Sequence, residues 1–234
     1  MTASSPLPSG DRVSAASRTA SVVQAFALGG FVVLAALAMM AYPGGTSWDA
    51  TTRGHDFWLN YLCDLERRTA LNGAPNVLGA WLAQAAILML ALGVAPSWWS
   101  IARLFPRRTA LAFATRWLGA FSSVGLAGAA LFPNDTFGEI HPYLMALAGL
   151  PGLGAGACAV VGLASRDLAG AMVGAVVLTV CGADLVLYAC HTGADAGPHA
   201  VAILERLSLI LALAWMVFVV WRGRRLPAFQ PNPR

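Results

Sequence analysis

Four histidines and eleven carboxylates are the groups of this chain best suited to moving a proton or holding a metal, and they are unevenly placed. His55, His141, His191 and His199, with nine of the eleven acids, fall at the same ends of six long apolar stretches; Asp11 and Asp167 fall at the other ends. Two of these stretches form a hairpin with Asp195 near its midpoint. Asp184 lies eleven residues before that point and Arg206 eleven after it, so equal depth predicts an ion pair between them. Tyr188 and His191 follow Asp184 at helical spacing on one face, His199 stands opposite His191, and Glu205 points about 100° away from Arg206 around its helix. An ionisable group inside a span costs about 2.5 to 3.5 kcal/mol on insertion scales, so it is expected to have a partner or a function.

Metal chemistry is a second reading of the same residues. Zinc takes three or four His, Cys or carboxylate ligands, and His141, His191 and His199 with Asp64, Asp135 or Asp184 would supply them. A bound zinc would activate water for hydrolysis. No H-E-x-x-H or H-x-x-x-H spacing is present, nor is a phosphate loop, a dinucleotide fingerprint or a nucleophile elbow.

Membrane-spanning helices must position these groups. Hydrophobic residues make up 58% of the 234 positions and charged residues 11%, with a mean hydropathy of +0.65. Soluble domains carry about 25% charge. The apolar runs, at about 21 to 42, 75 to 97, 110 to 132, 142 to 164, 169 to 190 and 200 to 222, are each long enough to cross a bilayer core as helix. They are continuous, whereas barrel strands alternate. An all-α bundle of six transmembrane helices follows, in one membrane domain over 21–222. Residues 1–20 are expected to be a disordered tail, and 223–234 a basic tail.

All fifteen basic residues are arginine. Most fall at one set of span ends, and Arg53, Arg67 and Arg68 alone lie in the opposite connections, so both termini are expected in the cytoplasm. The net charge of +4 is thus a topology signal; membrane lipids, and not nucleic acid, are the expected partners. Trp98, Trp99, Trp117 and Trp221 are expected in the inner aromatic belt, and Trp48, Trp58 and Trp81 in the outer one.

The first outer loop, 43–74, is the longest connection. Phe57, Trp58, Tyr61, Leu62 and Leu65 recur at helical spacing against Asp56, Asn60, Asp64 and Arg67, which predicts an amphipathic helix at the interface, either as a lid or as an anchor. Cys63 and Cys190 share the outer side, where a disulfide is allowed. Gly152 with Gly156, and Gly170 with Gly174, mark close helix packing.

Three short motifs, Cys63-Asp64-Leu65 followed by Asn72 and Asn76, Leu131-Phe132-Pro133-Asn134-Asp135 followed by His141, and Leu204-Glu205-Arg206-Leu207, occur in an order that resembles the domain of unknown function 998 family of prokaryotic membrane proteins. The resemblance covers about residues 21–222. It implies six helices and a joint importance of Asp64, Asp135, His141, Glu205 and Arg206, and it brings no reaction with it. The family's first motif usually reads Ser-Asp/Glu-Leu-Gly, so Cys63 stands in place of the serine and Glu66 in place of the glycine.

These observations predict an outward-facing polar pocket of Asp64, Asp135, His141, Asp184, Tyr188, His191, His199, Glu205 and Arg206 that takes a lipid headgroup or small amphiphile. A metal-dependent hydrolase of a lipid amide or ester is the alternative. A proton-coupled carrier ranks third, because the inner halves of the spans hold almost no ionisable residues.

Overall fold

The computed structural model describes residues 9–190 and 198–225, with side chains placed for 22–190 and 200–225. Seven α-helices are described: α1 (Ser9–Ala41), α2 (Val77–Ala102), α3 (Thr109–Leu131), α4 (Asn134–Phe137), α5 (His141–Leu163), α6 (Leu168–Cys190) and α7 (Pro198–Arg225). All but α4 are long and apolar enough to cross a membrane. The protein is therefore an all-helical, multi-pass integral membrane protein, as the six apolar runs imply. The first helix begins at Ser9, so residues 9–20, expected as a disordered tail, continue α1, and α7 carries the chain through Arg225.

Connections between adjacent spans are short except for residues 42–76, which fold over one end of the bundle, the cap end. α2 occupies the centre: α1 lies along it, α3 and α5 form the most extensive pair, α6 joins α5 to α7, and α7 returns to α2. Lipid tails give apolar helices no hydrophobic reason to associate, so close approach and interhelical hydrogen bonds must hold them. Small residues provide the approach, with Ala38, Ala86, Ala155 and Ala159 all essentially buried. Gly125 of α3 packs so closely on the backbone of Ala148 in α5 that a Cβ would overlap it. Beside it, the Ser122 hydroxyl donates to the Ala148 carbonyl at 2.7 Å. Trp215 Nε1 on α7 reaches the Gly170 carbonyl of α6 at 2.9 Å, and Gln24 of α1 donates to the Ser97 hydroxyl of α2 at 2.6 Å. Large side chains such as Phe26, Val32, Trp81 and Val176 point outward, as a lipid-facing surface requires.

Trp98 departs from its expected place in an aromatic belt. It is 4% exposed and packs edge-on against Trp215, while Trp81, Trp117 and Trp221 are exposed as belt residues are. Gly152 and Gly156, assigned to close packing, face Ser122 and Leu178 respectively, and Gly174 faces the Trp215 ring.

Gly125→Val should splay α3 from α5, because the displaced atoms are backbone. Overpacking typically costs about 1 to 3 kcal/mol. A lowered thermal midpoint in detergent, set beside Gly29→Val, where nothing lies within 4 Å of the added Cβ, checks this result.

Candidate functional site at the cap end

The cap is built by side chains that bond backbone. Asp56 Oδ1 accepts the amides of Trp58 (2.9 Å) and Leu59 (3.0 Å), closing a turn at the point where the sequence pattern predicts helix. Asp64 Oδ2 accepts the Tyr61 amide at 2.9 Å and the Asn60 side-chain amide at 3.1 Å. Local bonds of this kind compete with helical ones. The amphipathic interfacial helix expected within the 43–74 loop is therefore replaced by turns and one short 3-10 helix, Leu62–Glu66. Gly44 and Gly45 have φ of 140° and 87°, which only glycine accepts readily, and Gly45 abuts the Leu71–Asn72 backbone, closing the cap on itself. Tyr42, at the end of α1, receives the Leu71 amide at 3.1 Å.

α7 grips the cap with two adjacent residues. Arg206, 2% exposed, donates from Nε to the Phe57 carbonyl at 3.1 Å and from a terminal nitrogen to the Asn60 carbonyl at 2.9 Å. The same nitrogen approaches His55 Nε2 at 3.4 Å, so that atom of His55 is the acceptor and its ring is neutral. Burial, with the Arg206 charge adding, holds the His55 pKa down at about 4, in agreement. Glu205 takes the Leu62 amide on its two oxygens at 3.1 and 3.3 Å. The expected Asp184–Arg206 ion pair is absent: Arg206 turns to the cap carbonyls, and half-buried Asp184 is not within ion-pair reach of it. Equal depth in two helices does not fix the rotation of either.

Several buried acceptors at the cap end meet no donor. Glu66 is 0% exposed, and neither carboxylate oxygen has a hydrogen-bond partner. Burial, with the charges of Glu205 and Asp135 adding, pushes its pKa up to about 8. Asn76 is 2% exposed; its side-chain amide holds the carbonyls of Leu65 (3.1 Å) and Arg67 (2.8 Å) on either side of Glu66, while its Oδ1 is buried and unpartnered. His141, at the start of α5, faces the Phe132 carbonyl through Nδ1 at 2.9 Å. A carbonyl can only accept, so Nδ1 carries a proton, and Nε2 is buried without a partner.

Of the residues singled out from sequence, Asp64, Glu205 and Arg206 meet in the cap. Asp135 is exposed but accepts the Arg68 amide at 2.6 Å, two residues past Glu66. Tyr188 is 43% exposed on α6 near Tyr61, whose pKa is pushed up to about 12 by burial first and by the Glu205 charge next. His191 lies outside the described residues, as does the side chain of His199. Cys63 and Cys190 are free thiols, so the allowed disulfide is not formed. Burial raises the Cys63 thiol well above its usual pKa, which makes it a poor nucleophile.

Sequence reasoning missed His55, Asn60 and Glu66 as members of this site.

Among the described residues no three His, Cys, Asp or Glu side chains converge as a metal site would require. Fold and site together define a six-span integral membrane protein with a polar cap clasped by its last helix. Compared with known proteins, the chain matches no family model, no curated protein and no solved structure.

Proposed function

We propose that the protein binds a lipid headgroup or small amphiphile at the cap end, and that the group recognised is a hydrogen-bond donor such as an ammonium or a set of hydroxyls. The observation that carries this reading is Glu66, fully enclosed with two unpartnered oxygens. Buried polar groups are almost always hydrogen-bonded, and leaving one unmade costs about 1 to 3 kcal/mol, which a donor reaching Glu66 would recover. Asn76, whose amide holds the carbonyls on either side of Glu66, adds an unpartnered acceptor in Oδ1, and Glu205 and Asp135 add negative potential at Glu66. An ammonium that reached Glu66 would favour loss of its proton and pair with the carboxylate left behind. The residues around Glu66 are closed over it, so entry requires the cap to part from α7, which makes the Arg206 and Glu205 contacts the gate.

The metal-dependent hydrolase has less support, since the ligands would have to come mainly from His191 and His199. The resemblance to the domain of unknown function 998 family agrees with the joint placement of Asp64, Glu205 and Arg206, and it remains part of the proposal.

Native mass spectrometry of the protein extracted in mild detergent tests the binding reading. Wild type is expected to carry one co-purifying amphiphile with an amine or hydroxyl headgroup, and Glu66→Gln to retain at least tenfold less. Bare protein in both preparations would sink it.

A further inference from the structure

α1 and α7 both pack on α2 and scarcely touch one another. A groove of about 540 Å³ is left between them, with Leu28 and Val32 on one wall and Ala214, Val217 and Trp221 on the other. Every residue lining it is apolar. Other helix junctions are closed by glycine under a neighbouring side chain, as at Gly156 beneath Leu178 and Gly174 beneath Trp215; this one stays open to the bilayer, with Val32 62% and Val217 50% exposed. Hydrocarbon is the material that fills such a slot in a membrane.

The end of the groove distinguishes among lipids. Trp221 forms its end wall, and the Arg225 guanidinium lies 3.9 Å above the Trp221 ring. Nearby Arg222 is neutralised by Asp167 in an ion pair at 2.9 Å, whereas Arg225 is exposed and meets no carboxylate among the described residues. An apolar slot thus ends beside a planar cation with no carboxylate partner among the described residues, a group that can take a phosphate oxygen pair. The arginine-rich span ends, which the positive-inside distribution assigns to the cytoplasm, face the leaflet where anionic lipids attract basic residues.

We propose that this groove holds one acyl chain of an anionic membrane lipid, with Arg225 meeting its phosphate. The site shares no residue with the cap and stands or falls separately from the reading given above.

Reconstitution into vesicles containing phosphatidylglycerol or phosphatidylcholine with brominated acyl chains tests it, because bromine quenches tryptophan at short range. The contribution of Trp221 is isolated by subtracting the emission of Trp221→Phe. Half-quenching by brominated phosphatidylglycerol is expected at a several-fold lower mole fraction than by brominated phosphatidylcholine. Arg225→Gln should bring the two lipids together, and Ala214→Phe, which fills the groove, should weaken quenching by both. Equal quenching by the two lipids in wild type, or selectivity that survives Arg225→Gln, or quenching undiminished in Ala214→Phe, would overturn the proposal. Retained helical circular dichroism in each variant ties the result to the site.

Discussion

Arg206→Ala should release the cap from the bundle and produce the largest loss of stability of any single substitution at this end. The side chain is 2% exposed, and two of its nitrogens hold the carbonyls of Phe57 and Asn60. Hydrogen bonds to a charged group contribute about 1.5 to 3 kcal/mol each, so the loss is on the order of 3 to 6 kcal/mol. The Asn60 carbonyl is left buried with its donor gone, which adds to the penalty. His55 loses the cation that depresses its pKa and should titrate closer to its usual range, although burial still holds it down. Arg206→Lys should recover little, because one ammonium on a flexible stem cannot serve two carbonyls in a fixed fork. Hydrogen exchange at the amides of residues 55–66, with the thermal midpoint in detergent, checks this. Unchanged protection of the cap in Arg206→Ala would mean that α7 does not hold it.

The contrast between spans and cap explains what could be seen in the sequence. A bilayer imposes length and apolarity on every residue of a span, so six runs sufficed to place six helices, and their ends to within about five residues except where α1 extends back to Ser9. No comparable demand acts on residues 42–76. The spacing of Phe57, Tyr61 and Leu65 fits a helix, but Asp56 and Asp64 have short side chains that satisfy backbone amides locally, and their bonds decide the conformation. The pairing of Asp184 with Arg206 failed for a related reason. Depth along a helix follows from counting residues, whereas the direction a side chain takes depends on which neighbours offer acceptors, and the cap carbonyls could not be placed before the cap was folded. Trp98 illustrates the same limit: its position near a span end suits an aromatic belt, yet it faces α7 and packs on Trp215. The importance of Glu205 and Arg206 was legible because charges in a span are costly; what they grip was not.

Glu66 should make the stability of the ligand-free protein fall as the pH rises from about 4.5 to about 8. Its carboxyl titrates near 4.5 when exposed and at about 8 in the folded protein, chiefly because it is buried and further because Glu205 and Asp135 are close by. The folded state therefore binds the proton more tightly. Below pH 4.5 both states hold it and nothing is lost. Between the two values the unfolded chain releases the proton while the folded one retains it, so unfolding is increasingly favoured, and above pH 8 the full penalty is reached. A shift of this size corresponds to a loss on the order of 4 to 5 kcal/mol. Glu66→Gln removes the titration and keeps the shape. Glutamine leaves its own buried polar atoms unpartnered, a cost that does not vary with pH, so the informative quantity is the change in the difference between the two proteins. That difference should move in favour of the variant by several kcal/mol from pH 4 to pH 8.5, read from thermal midpoints of both proteins at each pH in one detergent. Parallel profiles would show that Glu66 already has a partner that stabilises its charge, and would remove the argument for a donor ligand there. A bound ammonium would reverse the trend by supplying that partner, so addition of the amphiphile recovered with wild type should flatten the wild-type profile and leave that of Glu66→Gln unchanged.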